Sequence, residues 1–370
     1  MALELPLLVP DASPEASLAA RDGVDAAAAV AKEAALVGWL RAHGPVLVGF
    51  SGGVDSAYLA VVARQTLGRD GALSVIGRSA SFPAEQWAVA HGVAEAHGLE
   101  VLEVATDELD DADYAANPVN RCYHCKKTLW RHLVPLAATH GTRTVIDGAN
   151  ADDLLDHRPG ARAADERGVR SPLAEVGMTK AEIRLRSRAH GLATWDRPSS
   201  PCLASRLPYG LSVTPERLAA VERAESALRA LGVTGNLRVR HHEALARVEL
   251  DADVLEAWAS VGELARLQAA VRGAGFARAA LDVFGFRSGS LNVLGGVQVA
   301  DASDAPRLDD AAMAWADGVG APESIGGLRL WSLPPSETAV TLASAVRRAA
   351  LMARVRRDGG THGALTLADA

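Results

Sequence analysis

Apolar residues along this chain recur in two rhythms that take turns. Val30, Ala34, Val37 and Leu40 fall at helical spacing and the pattern stops at Gly44-Pro45. Val46, Leu47 and Val48 then form a short unbroken apolar run, the trace a buried strand leaves. Similar runs return at Leu73 to Ile76, Val101 to Val104 and Thr144 to Ile146, separated by segments of helical composition such as Pro83 to His97. Strands alternating with helices predict an α/β fold whose parallel sheet is covered on both faces.

A different regime begins near residue 212. Thr214-Pro215 is a helix start, Leu218, Val221, Leu228 and Leu231 supply an apolar face, and Gly232 is a stop. Leu237 to Arg240 and Arg247 to Leu250 alternate apolar with polar residues, Val254 to Arg272 is helical, and Ala279 to Phe286 reads as another strand. This α-β-β-α-β order predicts a second, smaller α+β domain with an antiparallel sheet and helices on one side. The expected division is a loosely held arm over 1–24, a first domain over 25–211, the α+β domain over 212–294 and an atypical extension over 295–370. In that extension Gly, Asp and Pro become frequent, and Pro334 with Ser336 opens a final helix whose residues Val340 to Val355 are dotted with arginines. No internal repeat is evident.

Composition narrows the function classes. With 370 residues, 49% apolar and 22% charged, the chain is a folded one of about two domains, and at 4% aromatic content aliphatic side chains must fill the cores. A formal charge of −7 argues against nucleic acid as a partner held by net charge. Three cysteines are too few for a disulfide scaffold, so a reducing, cytoplasmic location is expected. No apolar run reaches the roughly 18 residues of a membrane span, and Glu4, Asp11 and Glu15 stand where a secretion signal is basic and then apolar. A homo-oligomer is expected.

The sharpest local signal is Phe50-Ser51-Gly52-Gly53-Val54-Asp55-Ser56, set between the first apolar strand and the helical stretch Ala57 to Leu67. At a strand-to-helix junction the backbone N–H groups are unpaired and the helix dipole favours an anion, so adjacent glycines let the chain wrap a phosphate closely. Ser51 and Ser56 add hydroxyl donors. Asp55 would repel a bare phosphate, which implies Mg2+ between its carboxylate and a polyphosphate such as ATP. Gly148-Ala149-Asn150-Ala151-Asp152-Asp153 follows the fourth strand, where a doubly wound sheet places ligand-facing loops, and makes Gly148 and Asp152 further nucleotide-binding candidates.

The thiols lie at Cys122 and Cys125, a C-x-x-C pair, and at Cys202. Such a pair fits a redox dithiol, half of a zinc site completed by a histidine such as His124 or His132, or two ligands of an iron–sulfur cluster. Arg121, Lys126, Lys127 and Arg206 flank the thiols and favour thiolates.

Four segments taken together, Ser51 to Ser56, Asn117 to Lys127, Asp147 to Asp153 and Pro198 to Arg206, resemble the LarE family of ATP-dependent sulfur transferases within the PP-loop ATP pyrophosphatases. The likeness spans residues 28–294. It implies a Rossmann-like, HUP-type parallel sheet, adenylation of a carboxylate of pyridinium-3,5-biscarboxylic acid mononucleotide, and its conversion to a thiocarboxylate for the nickel-pincer nucleotide cofactor. One variant of the family sacrifices the cysteine matching Cys202; another uses three cysteines to hold a 4Fe-4S cluster that carries an extra sulfide from a sulfur donor. Having Cys122, Cys125 and Cys202, this chain resembles the cluster-bearing variant. Arg238 and Arg240, two residues apart on a strand, leave one face and suit a phosphate, the role the resemblance implies for them. Glu225 and Glu249 are metal candidates near the substrate. Competing readings are a PP-loop tRNA thiolase, ammonia transfer to an adenylated acid, and a non-catalytic nucleotide-binding module with structural zinc.

Overall fold

In the computed structural model, the structure describes residues 23–142, 144–155, 159–258, 261–287, 291, 310–319, 321–325, 328–333, 345–357 and 362–367. The proposed arm over 1–24 lies almost wholly outside them, as does the start proposed for the final helix at Pro334. The chain divides into two compact units, residues 1–114 with 119–200 and residues 115–118 with 201–370.

The first unit is the predicted Rossmann-like α/β sheet. Its elements are α1 (Ala26–His43), β1 (Val46–Gly49), α2 (Val54–Leu67), β2 (Ala72–Arg78), α3 (Ala84–His97), β3 (Glu100–Ala105), α4 (Arg121–Thr139), β4 (Thr144–Ile146) and α5 (Lys180–Ala189). The four strands lie in the order β3-β2-β1-β4, all parallel. Alternation along β1 divides the core. Val46 and Val48 face a cluster with Leu36, Leu40 and Ile76, whereas Leu47 joins Val75 and Val145 against Trp130 and Leu133 of α4. Both faces are therefore apolar, which is why β1 reads as a continuous hydrophobic run.

With β2 on one side of β1 and β4 on the other, the connection reverses direction beside the carboxyl end of β1, the switch point at which open α/β sheets place ligands. Under the sheet, Glu33 accepts hydrogen bonds from Tyr58 Oη at 2.6 Å and from Arg186 Nε and Nη2, each at 3.0 Å, tying α1, α2 and α5 together. Burial alone would raise Glu33, but His190, Arg186 and Tyr58 outweigh it and hold the carboxyl at about 2.

The second unit holds α6 (Pro215–Ala230), β5 (Leu237–His242), β6 (Leu245–Leu250), α7 (Val261–Gly273), β7 (Arg278–Asp282), α8 (Asp310–Gly318), β8 (Glu323–Ile325), β9 (Leu328–Leu333), α9 (Ala345–Arg357) and β10 (His362–Leu367). Its sheet has six strands in the order β5-β6-β7-β10-β9-β8. The predicted first helix, hairpin and last strand are present, the stretch expected as one helix over 254–272 is instead two, Ala252–Ala257 and α7, and the sheet is mixed and not antiparallel. β5 and β6 form a hairpin, while β6 and β7 run parallel, because the helical connection between them is a crossover and not a turn. The described strands of the extension complete the sheet.

Residues 115–118 form a strap within this second unit. Asn117, fully buried and in the left-handed region at φ 54°, donates through Nδ2 to Pro208 O at 2.7 Å and Leu211 O at 2.8 Å, while its own carbonyl accepts from Gly210 N at 2.9 Å. Asparagine tolerates that backbone region better than most side chains, and here its amide answers carbonyls that the loop would otherwise bury unpaired.

Candidate active site

The loop between β1 and α2 keeps its backbone donors open by bonding its own side chains inward. Ser56 Oγ accepts from Ser51 N at 3.2 Å, donates to Gly53 O at 3.2 Å and meets Ser51 Oγ at 3.0 Å. Gln86 of α3 donates to Ser51 O at 2.9 Å and fixes the loop from the far side. Gly52 sits at φ +69°, and a Cβ there would lie 2.7 Å from the Ala90 Cα, so glycine is required by both conformation and space. Val54 starts α2 with no side chain capping its first amides, leaving them to a ligand.

The loop after β4 closes against this one. A Cβ on Gly148 would stand 2.9 Å from Ser56 N, which accounts for that glycine. Asn150 donates to Asp55 Oδ1 at 3.4 Å and accepts from Asp152 N at 3.0 Å; Asp152 Oδ2 accepts from Lys180 N at 2.8 Å. Lys180 Nζ then forms an ion pair with Asp55. The structure thus brings Ser51, Gly52, Gly53, Asp55, Ser56, Gly148 and Asp152 to one place. Ser51 to Asp55 line a polar cleft together with Gln86, Lys180, Arg197 and the Pro198-Ser199-Ser200 segment. Arg184 holds that last wall, donating to Trp195 O at 2.7 Å and Arg197 O at 2.8 Å. The carboxylate oxygens of Asp55 suit a hard cation such as Mg2+, while Asn150 turns its amide nitrogen to Asp55 and its oxygen to Asp152 N.

Sequence reasoning missed Lys180, Gln86, Arg184 and Arg197. Lys180 opens α5 directly after Thr179, whose capping box with Glu182 is readable as Thr-x-x-Glu. That signal locates the helix; nothing in it says that its first lysine reaches Asp55, 125 positions away.

Cys122 and Cys125 lie in the first turn of α4, three positions apart on the helix, with Cys122 exposed and Cys125 half-buried. Cys202, half-buried in the second unit, caps a short 3-10 turn over Leu203–Arg206. Of the two histidines weighed as zinc ligands, His132 Nε2 lies 2.7 Å from Asp107 Oδ1, whereas His124 Nδ1 is buried without a hydrogen bond, 3.9 Å from Asp113 Oδ2, and its Nε2 lies 3.3 Å from Asn120 Nδ2. Among the described residues, the donor group close enough to share an ion is Asp111, Asp113 and His124, which contains no cysteine.

In the second unit Arg238 and Arg240 are buried, at 7% and 5% exposure, not spread on a solvent face. Arg206 makes a two-pronged pair with Glu225, at 3.0 and 2.9 Å, and Glu225 also accepts from Val239 N at 2.9 Å. Arg240 pairs with Glu249 at 2.7 Å and donates to Ser205 O at 3.0 Å; Glu249 in turn meets Arg247 at 2.9 Å, and Arg247 pairs with Asp282. Burial, with Arg206 and Arg240 close by, pulls the Arg238 guanidinium down to about 10. An arriving anion would relieve that crowding of positive charge.

Comparison with known proteins adds to this geometry. A family model described as NAD synthase matches residues 38–120, the stretch that carries the phosphate loop. A pyridinium-3,5-bisthiocarboxylic acid mononucleotide synthase of Lactiplantibacillus plantarum is 36% identical over 265 residues, 70% of this chain and 94% of that protein. The chain belongs to the LarE family. As a LarE-family protein it is an adenylating sulfurtransferase of the PP-loop class. An uncharacterized protein of Synechocystis sp. is 44% identical over 246 residues, 66% of this chain and 91% of its own length. Among solved structures, NMN synthetase of Francisella tularensis aligns with a TM-score of 0.38 at 19% identity, over 46% of this chain and 75% of that one. No described helix of this LarE-family chain is long and apolar enough to cross a membrane.

Proposed function

We propose that this chain adenylates a carboxylate of pyridinium-3,5-biscarboxylic acid mononucleotide and replaces a carboxylate oxygen by sulfur, using Cys122, Cys125 and Cys202 as ligands of a 4Fe-4S cluster. The observation that carries the first half is the cleft at the end of β1: unpaired amides at the start of α2, the Ser51 and Ser56 hydroxyls, and Lys180 beside Asp55. A carboxylate resists substitution because oxide is a poor leaving group. Attack of its oxygen on the α-phosphorus of ATP releases pyrophosphate and turns the oxygen into part of an AMP leaving group.

In this reading the amides of residues 52–54 and the two serines receive the departing pyrophosphate. Asp55 would hold Mg2+, which would supply positive charge to offset the phosphates; Asn150 orients the Asp55 carboxylate, and Lys180 balances negative charge in the cleft. Arg238 and Arg240 bind the mononucleotide phosphate, with Glu249 and Glu225 orienting the guanidinium groups of Arg240 and Arg206. Ser199 and Ser200 line the cleft, and Cys202 follows Ser200 by two residues in the chain. A bound cluster would supply an iron-held sulfide as the nucleophile; three thiolates leave its fourth iron without a protein ligand. Two thiols on one helical turn fit such a donor set, and their flanking cations favour the thiolate form.

Anaerobic reconstitution with iron and sulfide tests the reading. The chain is expected to bind about four irons, turn brown, release one pyrophosphate per adenylation and make many thiocarboxylates per chain when sulfide is supplied. Cys122→Ala and Cys125→Ala should abolish multiple turnover. A colourless enzyme that makes one product per chain and converts Cys202 to dehydroalanine would establish the sacrificial route instead. Zinc binding without AMP formation would reduce the chain to a nucleotide-binding module.

A further inference from the structure

The sheet of the second unit is built twice over. The series α6-β5-β6-α7-β7, which carries an additional short helix Ala252–Ala257 before α7, is followed by α8-β8-β9-α9-β10, and both run helix, hairpin, helix and strand. Although α6 has 16 residues against 9 for α8, and β5 has 6 against 3 for β8, other dimensions agree: α7 and α9 have 13 residues each, and β6 and β9 have 6 each. So do the registers. His242 faces Leu245 across the first hairpin, and Ile325 faces Leu328 across the second. Leu245 opens the parallel β6–β7 pairing opposite Arg278, and Leu328 opens the parallel β9–β10 pairing opposite His362. In each half the first helix packs on the second. Leu267 and Val271 are among the buried residues of α7, and Leu351 and Val355 occupy the same two places on α9, all four at 0% exposure.

The halves meet through antiparallel pairing of β7 with β10, where Leu281 stands opposite Leu365. These two leucines are counterparts: Leu281 pairs with Val248, the fourth residue of β6, and Leu365 with Trp331, the fourth residue of β9. A seam that sets a residue against its own counterpart is an isologous contact, the geometry that two separate copies make about a two-fold axis. An apolar cluster drawn from both halves flanks the seam, Leu245 and Ala280 against Leu328 and Ala364, and Asp282, opposite Ala364, is the charged residue within the seam.

What the described residues of the second half lack is the buried charged set, while surface pairs such as Arg357–Asp317 remain. By register, Glu323 takes the place of Arg240, Leu330 that of Arg247, Ser332 that of Glu249 and Thr366 that of Asp282. The apolar pattern that packs the sheet persists, and the buried basic and acidic set does not. The relatives point the same way, for 66% and 70% of this chain suffice to match 91% and 94% of their lengths. Roughly a third of this chain lies outside each match.

We infer that residues 310–367 are a degenerate duplicate of residues 215–282 that fills, within one chain, the place of a second copy at the β7 edge. An unpaired strand edge templates association with another chain. Here β10 covers it covalently, so β7 is closed to pairing between copies, and the duplicate, stripped of its charged set, serves as a built-in partner and not as a second binding site.

Hydrogen exchange on the full chain, read together with sedimentation, tests this without reference to catalysis. In Leu365→Pro, which removes a ladder N–H from a central strand, the amides of residues 279–282 are expected to exchange at least tenfold faster at low protein concentration. They should regain protection at high concentration as the sedimenting mass doubles. Unchanged protection of 279–282 at unchanged mass, with β10 exchanging freely, would overturn the inference. Should that variant fail to fold, the wild-type chain in mild urea decides: residues 279–282 and 362–367 are expected to open together, and loss of protection in β10 alone at constant mass would refute it.

Discussion

The two units keep charge in opposite ways. In the first, Asp55 and Lys180 stand at the mouth of a cleft, on loops at strand ends, beside backbone amides that no side chain caps. In the second, Arg240, Glu249, Arg247 and Asp282 run through the interior of three adjacent strands, with Glu249, Arg247 and Asp282 wholly buried. A cleft charge costs little to hold and is available to a ligand. A buried one must be answered in place, so each member of the chain depends on the next. Substitutions should therefore register as stability in the second unit and as turnover in the first.

The largest effect is expected at Glu249→Ala, which leaves Arg240 and Arg247 without their shared carboxylate; removing one partner of a buried pair costs about 3–5 kcal/mol. Chemical denaturation measures it, and a loss below about 1 kcal/mol would break the contrast between the units. The duplicate sharpens the case, since a strand carrying Leu330 and Ser332 at the matching places packs without any such pair. Next comes Glu33, an exception within the first unit because its half-buried carboxylate is held by a network of Tyr58, Arg186 and His190. Its folded value of about 2 lies below the unfolded value of 4.5, so its contribution of about 3 kcal/mol is present above pH 4.5 and lost as pH falls through 2. Glu33→Gln should flatten the acid limb of the stability curve between pH 5 and 2, and an unaltered limb would show that the network contributes nothing there.

Asp55→Asn probes the other side of the contrast. It is expected to cut pyrophosphate release about 100-fold while changing stability by less than about 0.5 kcal/mol, as suits a cleft charge that acts on a developing one. Loss of more than about 2 kcal/mol would mean that the Lys180 pair is structural. The smallest effect is expected at Lys180→Met, about tenfold in the KM for ATP with unchanged melting, which isothermal titration and calorimetry separate.

How much of this was legible follows the same division. The phosphate loop is contiguous, and its glycines and hydroxyls lie within six residues after an apolar run, so the motif could be read directly. The sheet was legible because a strand buried on both faces, such as β1, has no alternative signature. Lys180 and Gln86 were not, since each belongs to a different helix and only folding brings them to the loop. The parallel pairing of β6 with β7 was missed because alternating strands suggest hairpins, although a helix of 13 residues between them argues for a crossover. The duplication escaped notice for a physical reason. What persisted were lengths, registers and buried aliphatic positions, while the charged residues that make a motif recognisable had been replaced.

The strap at residues 115–118 has a practical corollary. The polypeptide visits the second unit for four residues, anchors Asn117 to the 208–211 turn, and only then supplies the helix that bears Cys122 and Cys125. No single cut yields two self-sufficient fragments. A protein ended after Ser200 would keep the asparagine but lose the carbonyls it answers, and the stretch leading into the thiol-bearing helix would be left untethered. Anyone hoping to isolate the nucleotide-binding half must graft or redesign that short detour first.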